Sequence, residues 1–84
     1  MTVRFAVEEV FEVPLRGITL AVGLVLDGVV SPGMTLQDEK TGAIVTIAGI
    51  DLIPPPTERP NRTSLIVDRA SATRPERGMV LVVP

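Results

Sequence analysis

Cysteine and histidine are both absent from this chain of 84 residues. Their absence excludes disulfides, thiol nucleophiles, imidazole bases and zinc centres of the usual Cys/His type. Tryptophan and tyrosine are absent too, which leaves Phe5 and Phe11 as the only aromatic side chains. A surface that stacks single-stranded bases on aromatic rings therefore has almost nothing to build with. No apolar run approaches the ~18–20 residues of a membrane helix. The apolar stretch Ile18–Leu26 is far shorter and follows several charges. The basic start and small-residue cleavage site of a signal peptide are also missing. A cytoplasmic location is the expectation, with no membrane partner.

What is present suits one small domain spanning residues 1–84. A chain of this size buries only about 60–65% of its unfolded surface, so its core is thin. Apolar residues make up 45% of the chain, which is enough to fill such a core. The formal net charge is −2, which argues against a generic nucleic-acid binder. The charge is unevenly spread. Residues 1–58 carry three basic and eight acidic groups, a balance of −5, and residues 59–84 carry five arginines and two acids, a balance of +3. Either this is a mixed solvated surface, or the last third forms an arginine patch for a phosphate or an acidic partner. Seven of the eight basic residues are Arg, which together with abundant Ala, Val, Gly and Pro suggests a GC-rich bacterial source.

The chain reads as all β. From Val3 to Val13 apolar residues fall at Val3, Phe5, Val7, Phe11 and Val13, with Arg4, Glu8 and Glu12 between them. Period two predicts a strand with one buried face. Glu9 and Val10 break the alternation as a bulge would. Pro14 and Gly17 bracket a turn. A second strand, Ile18–Asp27, follows, and Gly23 in its middle predicts a bend or a close backbone approach. Further strands are expected at Met34–Asp38, Ala43–Ile53, Thr63–Arg69 and Met79–Val83. Pro54, Pro55 and Pro56 cannot donate ladder hydrogen bonds, so residues 54–62 are expected to be the longest loop. Six strands with closely spaced turns point to a small barrel or sandwich. Closure is favoured because it hides apolar strand edges.

An ordered set of segments carries a resemblance. It comprises Val7-Glu8-Glu9-Val10-Phe11, Arg16-Gly17, Gly23, Gly28-Val29-Val30 with Gly33, Ile47-Ala48-Gly49-Ile50-Asp51, and Arg77-Gly78-Met79-Val80-Leu81. In this order, over nearly the whole chain, they resemble domain 2 of the translational GTPases, the small barrel of the elongation factor Tu family. The resemblance implies a closed six-stranded antiparallel β-barrel standing without a GTP-binding domain. It also implies a face that meets a GTPase domain or ribosomal RNA backbone. There are departures. One residue is inserted between Gly17 and Gly23, and Leu15 stands where the family's turn has its first glycine. The family holds the aminoacyl end of tRNA with an acidic residue followed by Asn. The matching stretch here is Asn61-Arg62-Thr63, with Arg62 in place of the acid, which argues against aminoacyl-tRNA binding.

No catalytic constellation is legible. A G-x-x-x-x-G-K-[ST] loop is missing, so no nucleotide is expected. Glu8 and Glu12 share a face on a regular strand and could pair for acid–base work, or simply face water. Asp38, Glu39 and Thr41 offer too few oxygens for a cation, and no catalytic, metal or cofactor residue is expected. The candidate partner or RNA contacts are Arg59, Arg62, Arg69, Arg74 and Arg77, since Arg suits bidentate phosphate or carboxylate contacts. Leu24 and Leu26 are a candidate apolar interface. The family resemblance implies that Val25 faces inward, which puts both leucines outside. Parity counted from Ile18 puts them in the core instead. The function expected is a non-enzymatic cytoplasmic binding module that works through protein contacts, with self-association among them. The alternative is a ribosome- or RNA-associated module docking through its Arg-rich third.

Overall fold

The alternation of Val3, Phe5 and Val7 with smaller or charged neighbours commits one face of the first strand to a core. In the computed structural model, which describes residues 2–51 and 61–84, β1 runs Arg4–Val13 and β2 Ile18–Asp27. They are followed by β3 Thr35–Asp38, β4 Ile44–Asp51, β5 Thr63–Val67 and β6 Val80–Val82. The ends are trimmed by one or two residues relative to the pattern, where pairing runs out. The expected continuation of β4 to Ile53, and most of the proline loop, lie outside the described residues. Among the described residues there is no helix, and so none long and apolar enough to cross a membrane.

All pairings are antiparallel, in the order β1-β2-β5-β4-β3-β6, and β6 pairs back onto β1 to complete a ring. Directly opposed residues lie on one face of a sheet. The register aligns Leu81 with Phe5, Phe5 with Val25, Ala21 with Leu65, and Leu65 with Ile50. These residues point into the ring together. Phe5, Leu36, Ile47, Leu65 and Leu81 are fully buried there, with Val25 and Val10 packed against them.

A bulge shapes this packing. Val7 opposes Gly23 and Glu9 opposes Val22, so Glu8 is the extra residue of β1. An inserted residue inverts the side-chain parity beyond it. Val10 therefore packs toward the core. Phe11 and Val13, expected on the buried face with Phe5, lie on the other face opposite Leu20 and Ile18. Glu8 and Glu12 take different partners, Arg62 and Arg74. Gly23 sits beside the bulge, where a Cβ would lie 1.8 Å from the carbonyl oxygen of Ala6. The close backbone approach expected of this glycine is present.

β2 is buried on both faces at its centre. Ala21 belongs to the interior cluster, while Leu20 and Val22, on the other face, are 4% and 1% exposed. Toward its end the strand emerges. Val25 keeps to the interior, Leu24 is half-buried opposite Ala6, and Leu26 is a bulged residue that is 49% exposed.

Candidate interaction surface

The β1–β2 hairpin is a short turn held from several sides. Pro14 presets its own φ, and Gly17 takes a φ of 64° that favours glycine. The Arg16 amide donates to Val13 O at 3.1 Å and the Gly17 amide to Pro14 O at 3.1 Å. Two long side chains then tie the turn to the ring. Arg69 Nε donates to Gly17 O at 2.9 Å. Arg16 Nη1 meets Asp51 Oδ2, at the end of β4, at 3.2 Å, and the Asp51 side chain is nearly buried. At the tip of this braced turn Leu15 is fully exposed, with a relative accessibility of 102%.

Behind the turn lies a cleft of about 430 Å³, lined by Glu12, Thr19, Asp68, Arg69, Thr73 and Arg74 among others. Its floor is fixed by the loop after β5. Asp68 Oδ1 accepts from the Ala70 amide at 2.8 Å, forming an Asx turn. Ser71 Oγ accepts from the Thr46 amide at 3.1 Å and donates to Thr73 O at 2.8 Å, which joins the loop to β4. Arg74 Nη1 lies 3.0 Å from Glu12 Oε1, and Thr19 Oγ1 donates to Glu12 Oε2 at 3.2 Å.

The candidate arginines are thus spread along β1. Arg62 makes a bidentate pair with Glu8, through Nε to Oε1 and Nη2 to Oε2 at 3.2 Å, and both side chains are largely buried. Arg69 and Arg74 share the cleft behind the turn. Arg77 is exposed and lies beside Glu9, Val10 and Phe11 in a separate cleft of about 410 Å³. Arg59 lies outside the described residues. Among the described residues, Glu8–Arg62 and Glu12–Arg74 join the acidic first half of the chain to its basic last third.

The opposite end of the ring carries another exposed apolar group. Leu26 and Val29 are 49% and 68% exposed, and Val83 lies just beyond the row in which Val82, Arg4 and Asp27 oppose one another. Arg4 pairs with Glu39 at 3.1 Å on the same side. Asp38, weighed above as a cation ligand, accepts from Thr41 Oγ1 at 2.9 Å and from the Lys40 amide at 3.3 Å, so it organises its own turn. Among the described residues no cluster of acidic side chains could hold a metal.

The residue that sequence reasoning undervalued is Leu15. It registered only as a leucine in a glycine's place, and its full exposure became visible with the turn. The chain matches no protein-family model, no curated protein and no solved structure.

Proposed function

We propose that this chain is a non-enzymatic cytoplasmic binding module, built on a small closed barrel of the translation-factor domain 2 type and acting through protein contacts. One observation carries this reading. Glu8, Glu12 and Asp51 are each engaged by an arginine of the same chain, whereas Leu15, Leu26 and Val29 face water at the two ends of the ring. Acid–base catalysis uses carboxylates poised toward a substrate, whereas Glu8 and Asp51 tie the ring and its turn together and Glu12 pairs with Arg74 in the open. Exposed leucines and valines on rigid strands and turns instead suit partner contacts. The domain 2 reading draws support from the elements its residues occupy. Val7–Phe11 form the bulged part of β1, Arg16 and Gly17 the first turn, and Arg77 and Gly78 the approach to β6.

An RNA-docking role has a narrower base, because Arg62 and Arg74 already carry carboxylate partners. Of the candidate arginines among the described residues, Arg69 and Arg77 are the exposed ones left to it. The test is retention on the immobilised chain at about 0.15 M salt, with and without nuclease. Stoichiometric, nuclease-resistant retention of a protein is expected. Retention that nuclease abolishes, and that weakens steeply as salt releases counterions, would replace this reading with the RNA one.

A further inference from the structure

We infer that the second half of β1, Glu9–Val13, is an open sheet edge by which two copies of this chain pair antiparallel about a two-fold axis at Phe11. The inference rests on the protein-contact reading above and deepens it by naming one partner and its site.

The ring covers only the first half of β1. β6 opposes Arg4, Phe5 and Ala6, and Met79 and Gly78 carry the contact one residue further, to the amide and carbonyl of Val7. From Glu9 to Val13 the strand pairs, among the described residues, with β2 alone. Backbone groups alternate sides along an antiparallel strand. The Val13 carbonyl turns into the hairpin, where it accepts from the Arg16 amide at 3.1 Å. Phe11 therefore bonds toward β2, while Val10 and Glu12 aim their amides and carbonyls outward. The space beside them is open, since the cleft of about 410 Å³ lies among Glu9, Val10, Phe11 and Arg77. Arg74 reaches this edge through its side-chain pair with Glu12, and both side chains are more than half exposed. A row of unpaired backbone groups selects an extended strand as its occupant.

The residues of the edge select a second copy. One strand can pair with itself across a two-fold axis. Val10 and Glu12 supply the hydrogen bonds, so the axis falls at Val10, Phe11 or Glu12. An axis at Glu12 opposes two carboxylates, and one at Val10 opposes Glu12 to Glu8 of the second copy. An axis at Phe11 opposes Val10 to Glu12, Glu9 to Val13, and one phenyl ring to the other. Like charges directly opposite destabilise a pair of strands, and aromatic pairs stabilise it. The wider charge permits this contact. Glu8, Glu9, Glu12 and Glu76 stand against Arg62, Arg74 and Arg77, a balance of −1. Glu8 and Glu12 are paired with Arg62 and Arg74, and Glu9 lies beside Arg77. So nearly neutral an edge does not repel its own copy and gives a strongly charged partner little to recognise. The contact ends at the Pro14 turn and at Val7, where Gly78 is already bonded. It is short, and the dimer is accordingly weak.

The chain has no cysteine, so single cysteines report the register. A residue on the axis in a non-hydrogen-bonded pair meets its own copy within disulfide reach. Under mild oxidation Phe11→Cys is expected to form a covalent dimer. Glu9→Cys alone should not, but mixed with Val13→Cys it should form the mixed dimer. Sedimentation equilibrium of the full chain, from about 10 µM to about 1 mM, should show monomer and dimer in exchange. Phe11→Lys opposes like charges on the axis, and should raise the dimer Kd at least ~10-fold while keeping the wild-type circular dichroism spectrum. Should that variant lose the spectrum, the cysteine pattern decides alone. A monomer throughout the range overturns the inference. So does a Glu9→Cys variant that links to itself as readily as Phe11→Cys, or a folded Phe11→Lys that dimerises like the wild type. If the chain stays monomeric yet retains another protein when immobilised, this inference fails and the binding-module reading stands. If it stays monomeric and retains none, both fail.

Discussion

Two arginines of this chain differ in what their removal should cost. Arg62 and Glu8 are about four-fifths buried and doubly bonded, so Arg62→Ala takes a bidentate partner from a carboxylate in a poorly solvated place. We expect it to lower the unfolding free energy by about 1–3 kcal/mol. Arg74 and Glu12 pair in the open, and Arg74→Ala should cost no more than about 0.5 kcal/mol. Urea titration of both variants checks the contrast, and equal losses would mean that burial does not set the strength of these pairs. Gly23 is the sharper case. A Cβ there meets the backbone of Ala6 at 1.8 Å, and backbone in a paired strand cannot step aside. Gly23→Ala should cost about 3 kcal/mol or more. A variant that melts with the wild type would show that β1 and β2 can separate at the bulge without penalty.

Among the elements, β2 bears the most distinct test. Val25 packs inward while Leu24 and Leu26 point away from the interior. Leu24→Lys combined with Leu26→Glu should therefore give a folded protein, while Val25→Asp should unfold it. Thermal melts of the two would reverse in order if the strand were turned over. Leu81 of β6 is fully buried in a strand of three residues, and Leu81→Ala should cost about 2–5 kcal/mol. Much of this layout was legible beforehand, because strand period, turn residues and Gly23 are local signals. The position of the bulge was not. The sequence breaks its alternation at Glu9 and Val10, yet odd numbering still groups Phe11 with Phe5; the extra residue is Glu8, and one extra residue turns Phe11 to the other face. The pairing of Arg62 with Glu8 was equally hidden, since it depends on how strands 54 residues apart come into register. Leu15 was visible as an anomaly, but its exposure is a property of the folded turn.

For the whole molecule, the fold brings together two stretches of opposite charge that are far apart in sequence. The attraction between them is screened by salt, so raising NaCl from about 0.05 to 0.5 M should lower stability by up to ~1 kcal/mol. Chemical denaturation at the two salt concentrations measures this. A stability that rises instead would show that repulsion among the acids of the first half outweighs the pairs. The far-ultraviolet circular dichroism should be that of a β protein, with helix well below the ~30–35% of mixed domains.

The ring is completed by Val80–Val82, which pair with β1 on one side and β3 on the other. Time enters here. A ribosome adding ~5–20 residues per second takes roughly 4–14 s to pass from the end of β1 to the end of β6. Through that interval β1, and β3 from the time it is made, lack the neighbour that β6 provides, and their free amides and carbonyls are open to other chains. Nor can the pairing of β2 with β5 begin until residue 63 has been made. The nascent chain therefore passes through its most adhesive state just before the ring closes, and its yield in the cell depends on how quickly β6 arrives.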